Sequence, residues 1–187
     1  PDTEVLVEWA LDALAPAGTK VQSLLDLGTG SGAIALTIAS RCPDVQVTAT
    51  DASADALAVA QANAQRLCLP VRFAHGAWLA AVPGEHFHVI ATNPPYIAEG
   101  DPHLDALTHE PLSALTAGAD GLDDIRQIVV QAPGALQPGG WLLLEHGHDQ
   151  AAAVRELLTT QGFEAVSSRQ DLAGIARCSG GRWPEAR

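Results

Sequence analysis

The sequence contains no methionine, and only 4% of its 187 residues are aromatic, with a single tyrosine among them. It is also poor in basic residues: 10 lysines and arginines stand against 22 acidic residues, which gives a formal net charge of −12. A domain that binds duplex or single-stranded nucleic acid normally carries a basic face. The charge balance therefore argues against direct nucleic-acid binding by this segment.

Long apolar runs and paired cysteines are absent as well. No apolar run approaches membrane length and no signal peptide opens the chain, so we expect neither a membrane protein nor a secreted one. The cysteines Cys42, Cys68 and Cys178 lie far apart without a Cys-x-x-Cys pair, which favours reduced, buried thiols and a cytoplasmic location. Because Pro1 is not an initiator residue, we also expect a segment upstream of it.

Hydrophobic residues make up 47% of the chain and charged residues 17%, which fits one globular domain over residues 1–187. Strand and helix patterns alternate, as in a doubly wound, mostly parallel α/β sheet that closes with a C-terminal hairpin. The first helix is expected at the sheet edge or beside the site. The stretch from Ile97 to Asp120 lacks periodicity, and a loop of this length is typical of a lid or a binding loop. Helices are predicted over residues 4–15, 33–41, 54–67 and 122–136, with a further helix at 151–161, and strands over 21–27, 45–50, 71–75, 89–91, 141–145, 163–168 and 175–180.

A glycine-rich turn between the first strand and its helix predicts a ligand loop. Glycines let a ligand approach the backbone, and the helix N-terminus offers N–H groups. Asp51 ends the second strand, where an acidic residue can accept hydrogen bonds from both ribose hydroxyls of an adenosine-bearing ligand. The alternative role is an N-cap for the next helix, for which Ser53 is equally placed. The turn also satisfies the looser dinucleotide fingerprint, so a nicotinamide dehydrogenase stays open at this point.

The tetrapeptide Asn93-Pro94-Pro95-Tyr96 follows the apolar run at 89–91 directly. Two prolines remove two N–H donors, so the loop can only accept hydrogen bonds. A planar NH2 group fits such a loop: the Asn93 side-chain oxygen accepts one hydrogen, the Pro94 carbonyl accepts the other, and Tyr96 lies against the flat face. The alternative is a simple proline turn that ends a strand. An acceptor-only clamp favours methylation of nitrogen by S-adenosylmethionine over hydride transfer.

The remaining candidates have simpler interpretations. Trp78, just beyond the third strand, can cover an adenine or belong to the core. Glu145 is expected to be a solvated or hydrogen-bonded strand end, and Asp123 and Asp124 to lie in the first turn of a helix. No metal site is predicted, because no third ligand accompanies either of two histidine pairs, His86 with His88 and His146 with His148.

Five segments of the sequence form a recognisable set: Pro1-Asp2-Thr3-Glu4, Asp26-Leu27-Gly28-Thr29-Gly30-Ser31-Gly32, Asn93-Pro94-Pro95-Tyr96-Ile97, Glu110-Pro111 and Leu142-Leu143-Leu144-Glu145-His146-Gly147. Together they resemble the HemK/PrmC family. Its members are S-adenosylmethionine-dependent methyltransferases that modify the side-chain amide nitrogen of the glutamine in the Gly-Gly-Gln (GGQ) motif of class I peptide chain release factors. The resemblance covers essentially the whole chain and implies a Rossmann-like class I methyltransferase sheet of seven strands. In the family a small helical domain that helps to hold the release factor precedes this domain, and we do not expect it within residues 1–187.

By position, the resemblance assigns roles to individual residues. Asp51 would bind the ribose of the cofactor, Trp78 would lie by the adenine, and Asn93 would touch both the cofactor and the glutamine. Two positions depart from the common pattern of the family. Ala77 stands where relatives often carry an acidic residue, and His88 stands where they frequently carry an aspartate. The change at His88 is expected to concern packing only. The methionine part of the cofactor would be held by Gly28, Thr29, Gly30, Ser31 and Gly32, and the glutamine pocket and catalytic corner would be completed by Pro94, Pro95 and Tyr96.

Two other functions stay open from the residues alone. The same tetrapeptide occurs in methyltransferases that act on the amino groups of adenine or guanine in nucleic acid, because a base amine presents a similar NH2 group. A non-catalytic nucleotide-binding module or adaptor is the second alternative.

Overall fold

A computed structural model describes residues 3–14, 21–94 and 121–185. Its helices are α1 (Thr3–Ala13), α2 (Ala33–Arg41), α3 (Ala54–Arg66), α4 (Asp123–Gln131) and α5 (Ala151–Gln161), with 3-10 turns at Trp78–Ala81 and Ala132–Ala135. Its strands are β1 (Gln22–Leu27), β2 (Val45–Asp51), β3 (Val71–His75), β4 (Phe87–Thr92), β5 (Leu136–Glu145), β6 (Glu164–Gln170) and β7 (Ala176–Arg182).

The seven strands form one sheet in the order β3-β2-β1-β4-β5-β7-β6. Strands β1 to β5 pair in parallel, whereas β7 runs antiparallel to both of its neighbours. This confirms the predicted doubly wound sheet of seven strands with a C-terminal hairpin. In such a sheet the order reverses beside β1, and ligands bind beyond the carboxyl ends of the strands there.

Each face of the sheet has its own apolar core. Leu24 faces a cluster formed with α1 and α2, whereas Leu25 and Leu27 face a second cluster formed with α4 and α5. Successive side chains of a strand point to opposite faces, so the near-continuous apolar run of β1 supplies both cores. The glycine loop at the end of β1 is therefore anchored from both sides.

Helix α1 packs on the middle of the sheet, against β4, β5 and β7, so the expected position at the sheet edge is wrong. Trp9 is buried there and packs beside Trp141, with ring centroids 6.4 Å apart. The missing side chain of Gly180 makes the close approach possible, since a Cβ at Gly180 would lie 3.2 Å from the Trp9 ring. The alternative expectation for α1 was a position beside the predicted site. The structure agrees with it, because Thr3 at the start of α1 reaches the carboxyl end of β5.

The predicted helix that ends at about 136 is too long. Helix α4 stops at Gln131, and a 3-10 turn with a proline in its first positions leads into β5. Strand β5 also begins before the predicted residue 141, since Leu136 already pairs with Phe87 and the register shifts before Trp141 pairs with Val89. Gly140 lies at this irregularity, where a Cβ would approach the Gln137 carbonyl oxygen to 2.9 Å. The Pro-Gly-Gly segment is thus part of an irregular strand and not a separate turn.

The cysteines are free thiols, as predicted, but only Cys178 is buried, while Cys42 is half-buried and Cys68 is exposed. Burial of all three was therefore a wrong expectation. Among the described residues, no helix has both the length and the apolar character needed to cross a membrane.

Candidate functional site

The parallel strands bring the predicted site residues to one edge of the sheet. Leu27, the last residue of β1, pairs with Thr50 of β2 on one side and with Thr92 of β4 on the other. The glycine loop, Asp51 and Asn93 directly follow these three residues in sequence. The sequence-predicted ligand loop and the start of the tetrapeptide are therefore neighbours at the carboxyl edge.

The glycine loop is held in a conformation that favours glycine. Gly28 has φ +74° and Gly30 has φ +57°, both in the left-handed region. The Thr29 N–H donates to the Thr50 carbonyl at 2.8 Å, which fixes the loop to β2. A Cβ at Gly30 would meet no atom of the described residues within 4 Å, so these residues leave the space above Gly30 open to a ligand.

Asp26 lies beneath the loop and is fully buried. Its Oδ2 accepts hydrogen bonds from the Thr29 hydroxyl at 2.6 Å and from the Ala35 N–H at 3.1 Å. Its Oδ1 is buried and has no hydrogen-bond partner among the described residues. Burial is the main cause that raises the pKa of Asp26 from 3.8 to about 6, helped by the charge of Asp51 and opposed by the two hydrogen bonds. A buried carboxylate oxygen without a donor is suited to a cationic or N–H-bearing ligand.

Asp26 is the first residue of the glycine-rich segment, but it was not predicted as a site residue. The signal was present in the sequence, since an acidic residue inside an apolar strand needs partners when it is buried. Spacing alone does not show which side of the strand it faces.

Asp51 connects the glycine loop to the next helix. Its Oδ2 accepts from the Gly30 N–H at 2.9 Å, and its Oδ1 accepts from the Ser53 N–H at 2.8 Å. Ser53 supplies the N-cap of α3, because its hydroxyl accepts from the Ala56 N–H at 3.1 Å. Of the two residues considered for the cap, Ser53 therefore takes it, and the Asp51 carboxylate faces the loop.

Trp78 lies beside the glycine loop. Its ring carbon Cζ3 is 3.3 Å from the position that a Cβ on Gly28 would occupy. The ring also packs on the core shared with α4 and α5, and it is half-buried. Trp78 itself has φ +45°, a backbone conformation that a bulky residue rarely adopts. Both sequence interpretations are thus compatible with its position, and the adenine contact stays a prediction.

The tetrapeptide is only partly described. Asn93 is exposed at the end of β4, and Pro94 is buried. The preceding Thr92 is locked to β1, since its hydroxyl donates to the Leu27 carbonyl at 2.6 Å. Pro95 and Tyr96 lie outside the described residues, as does the predicted lid from Ile97 to Asp120.

Glu145 ends β5, one strand beyond Asn93. Its side chain is only 3% exposed, which contradicts a solvated strand end and supports a hydrogen-bonded one. The Thr3 hydroxyl donates to its Oε2 at 3.5 Å. Because Thr92 pairs with Leu144, the next residues, Asn93 and Glu145, lie at neighbouring strand ends.

His146 anchors the end of β5 to the hairpin. Its Nδ1 lies 2.9 Å from the Gly147 carbonyl, which can only accept, so Nδ1 carries the hydrogen and Nε2 accepts from the Ser179 hydroxyl at 2.8 Å. Ser179 in turn lies 2.7 Å from Ser168, which accepts from Arg155 at 2.7 Å. Burial lowers the pKa of His146 and favours this neutral form. Sequence patterns did not reveal this chain of hydrogen bonds, because its members lie on α5, β6, β7 and the segment that follows β5.

His88 makes a hydrogen bond to the neighbouring strand. It was expected to matter for packing only, but its Nδ1 accepts a hydrogen bond from the Ser23 N–H at 3.1 Å.

Asp123 and Asp124 lie in the first turn of α4, as predicted. Within the three described segments, no group of three or more histidine, cysteine, aspartate or glutamate side chains could hold a metal ion.

Comparison with known proteins bears on this geometry. Residues 3–160 match the family described as Methyltransferase small domain. A release factor glutamine methyltransferase from Burkholderia pseudomallei is 54% identical over 193 residues, a match that covers 98% of this chain and 67% of the relative. The protein of the same description from Pseudomonas aeruginosa is 54% identical over 188 residues, with coverage of 98% and 66%.

A solved structure agrees with these relatives. The crystal structure of a protein-(glutamine-N5) methyltransferase (release factor-specific) from Alicyclobacillus acidocaldarius is 32% identical, with a TM-score of 0.60. The superposition covers 98% of this chain and 93% of that chain.

Proposed function

Because this chain belongs to the release factor glutamine methyltransferase family, we propose that it transfers a methyl group from S-adenosylmethionine to the GGQ glutamine of class I peptide chain release factors. The accepting atom is the side-chain amide nitrogen of that glutamine. The observation that carries the proposal is the pairing of Leu27 with Thr92, which sets the glycine loop and Asn93 side by side at one sheet edge. A cofactor and a carboxamide can meet there.

The glycine loop fits the cofactor. No described residue fills the space above Gly30, and Asp26 Oδ1, which has no hydrogen-bond partner among those residues, is an acceptor beneath the loop. The Asp51 carboxylate uses two acceptor positions for Gly30 and Ser53, and a carboxylate has about four. Two positions therefore stay available to the ribose hydroxyls. When bound, S-adenosylmethionine supplies a methyl group that is activated by its sulfonium charge.

Asn93 and Pro94 hold the glutamine in this proposal. The Asn93 Oδ1 accepts one amide hydrogen and the Pro94 carbonyl accepts the other, which fixes the nitrogen opposite the methyl group. These two hydrogen bonds also favour a pyramidal nitrogen, whose lone pair is no longer delocalised into the carbonyl. The nitrogen–carbon bond forms as the carbon–sulfur bond breaks. The N-methylated amide cation is strongly acidic and releases its extra proton to a carbonyl or to water.

The remaining positions follow the family pattern as part of the same proposal. Residues 28–32 surround the methionine part of the cofactor, and Trp78 covers the adenine. Pro95 and Tyr96 complete the glutamine pocket. We further propose that residues 1–187 form the catalytic domain and that the protein acts in the cytoplasm, where its substrate is found. The product of the cofactor is S-adenosylhomocysteine.

Methylation of a base amine in nucleic acid is less well supported. The relatives at about 50% identity are described as release factor glutamine methyltransferases. In addition, the net charge of −12 disfavours binding of a polyanion such as nucleic acid. A non-catalytic adaptor does not fit membership of a methyltransferase family.

One experiment tests the proposal directly. The full-length protein is incubated with methyl-labelled S-adenosylmethionine and a purified release factor, and the label is located by peptide mass spectrometry. We expect one methyl group on the GGQ glutamine and none when that glutamine is replaced by glutamate. Parallel reactions with RNA and with DNA serve as the competing substrates. Label on a base, with an unmodified release factor, would overturn the proposed substrate.

A further inference from the structure

The turn between β6 and β7 lies at the same edge of the sheet as the proposed site. Glu145, at the carboxyl end of β5, pairs with Cys178 near the start of β7, and Gln170 at the end of β6 pairs with Ala176. The opposite ends of both hairpin strands meet at Arg182, which pairs with Glu164 and with Trp141. The turn at residues 171–175 therefore projects beyond the edge that carries Asn93.

This turn is rigid because Asp171 organises its backbone. The Asp171 Oδ1 accepts from the Ala173 N–H at 2.9 Å and from the Ile175 N–H at 3.0 Å, and its Oδ2 accepts from Arg177 Nε at 3.2 Å. The Asp171 N–H also donates to the Ile175 carbonyl at 2.8 Å, and Gly174 adopts φ +81°. The hydrogen bond from Ile175, together with those from Arg177 and Ala173, lowers the pKa of Asp171.

The base of the turn is fixed to β5 as well. The His146 N–H donates to the Arg177 carbonyl at 2.9 Å, directly beside Glu145. The hydrogen bonds of the His146 side chain to Gly147 and Ser179 hold the same strand ends together. The turn and the end of β5 therefore behave as one preorganised unit.

Leu172 is fully exposed at the tip of this turn. A single exposed leucine is common on protein surfaces and by itself needs no explanation. Here it is presented by a turn in which the backbone N–H groups of residues 171 and 173–175 already donate hydrogen bonds within the turn, so a partner that covers Leu172 need not order the loop. Such a residue is a suitable anchor for a protein surface.

The strand order separates the turn from the cofactor side of the site. The glycine loop and Asp51 end β1 and β2, on one side of β4, whereas β5, β7 and β6 follow on the other side. With about 4.8 Å between adjacent strands, the turn between β7 and β6 lies roughly 12 Å from the end of β4. An extended polypeptide covers that distance in about four residues. A polypeptide substrate held at Asn93 that extends away from the cofactor can therefore reach the turn.

We propose that the β6–β7 turn is a docking point for the protein substrate, with Leu172 in contact with the release factor about four residues from the methylated glutamine. This inference rests on the proposed function. It adds a contact with the release factor that lies away from the reacting amide of the glutamine. It predicts that the turn contributes to binding of the release factor, while binding of the cofactor and the methyl transfer step are independent of it.

The test compares Leu172→Ser with wild type on two substrates. With an intact release factor, we expect KM to rise about tenfold, as for the loss of one buried leucine contact, with kcat and the Kd for S-adenosylmethionine unchanged. With the tripeptide Gly-Gly-Gln, which is too short to reach the turn, KM should be the same for both proteins. Val130→Ser is the matched control: Val130 is 63% exposed, near the end of α4 that leads into the start of β5 at the opposite edge.

A second variant tests the same surface by a different change. Asp171→Ala removes the acceptor that orders the turn and leaves Leu172 in place, and we expect KM for the release factor to rise with kcat unchanged. Circular dichroism and thermal unfolding show whether either variant is folded.

The outcomes separate the two proposals. Equal KM values of wild type and Leu172→Ser for the release factor would overturn the docking point and leave the methyltransferase function intact. A similar rise in KM for the tripeptide would also overturn it, since the residue would then act on the glutamine site itself. A wild-type protein that does not methylate the release factor would overturn the proposed function, and the docking point with it.

Discussion

The backbone N–H of Gly30 donates a hydrogen bond to the side chain of Asp51 at 2.9 Å. This contact joins the glycine loop of β1 to the end of β2. The same carboxylate accepts the Ser53 N–H at 2.8 Å, so the loop and the start of α3 share one anchor. A cofactor that binds to this loop would find the proposed ribose acceptor already in position, which would reduce the entropy that binding has to offset.

Replacement of Asp51 by alanine should therefore weaken the binding of S-adenosylmethionine. The loss of charge-assisted contacts to the ribose, together with a looser glycine loop, should amount to about 1–3 kcal/mol, measured by calorimetry. Asp55→Ala is the matched control, because Asp55 is an exposed carboxylate in the first turn of α3. Unchanged affinity in Asp51→Ala would remove the ribose role.

Asn93→Ala should separate binding from catalysis. Asn93 is exposed at the end of β4 and is proposed to contact the reacting amide. We expect the Kd for S-adenosylmethionine to stay close to the wild-type value, while kcat falls by about 10²–10³, as for the loss of one group that stabilises a transition state. Binding is measured by calorimetry and turnover by label transfer. A variant that turns over as fast as wild type would show that the Asn93 carboxamide does not hold the substrate.

The pH dependence of stability should reveal Asp26. Because its pKa is raised from 3.8 to about 6 in the folded protein, protonation favours folding. This contribution is complete below about pH 3.8 and is lost as the pH rises through about 6, with a total of about 3 kcal/mol at 1.36 kcal/mol per pKa unit.

Denaturant unfolding of wild type and Asp26→Asn measures this effect. The free energy of unfolding of wild type relative to the variant should fall between about pH 4 and pH 7. The His146 pKa is lowered, so its titration acts in the opposite direction, but it is common to both proteins and cancels in the difference. A constant difference over this range would mean that Asp26 is ionised in the folded protein as readily as in the unfolded one.

Gly180→Ala should destabilise the fold without a direct effect on the site. A Cβ at this position would lie 2.6 Å from Leu143 Cδ2 and 3.0 Å from the Leu142 carbonyl oxygen. Overpacking of this kind costs about 1–3 kcal/mol, visible as a lower urea midpoint. Gly134→Ala is the control, because a Cβ on Gly134 meets nothing within 4 Å. Equal midpoints for the two variants would show that β5 and the Leu143 side chain can move away from residue 180 at little cost.

Local patterns predicted most elements, because they depend on neighbours in sequence. Strand β3 and helices α2 and α5 have the predicted bounds, and Gly162 ends α5 in the left-handed conformation at φ 110°. The largest error in element bounds lies at Leu136 and Pro138, which belong to β5, because pairing with β4 overrides the local preference there.

The sequence by itself determined the strand and helix alternation and the glycine loop after β1, since these follow from side-chain period and from glycine chemistry. Only the tertiary structure decided that Asp26 keeps an oxygen beneath the loop that has no hydrogen-bond partner among the described residues, and that Glu145 is buried. It also placed Leu172 at the edge that carries Asn93. Strand order and register bring together residues that are far apart in the chain, and no local pattern records which of them become neighbours.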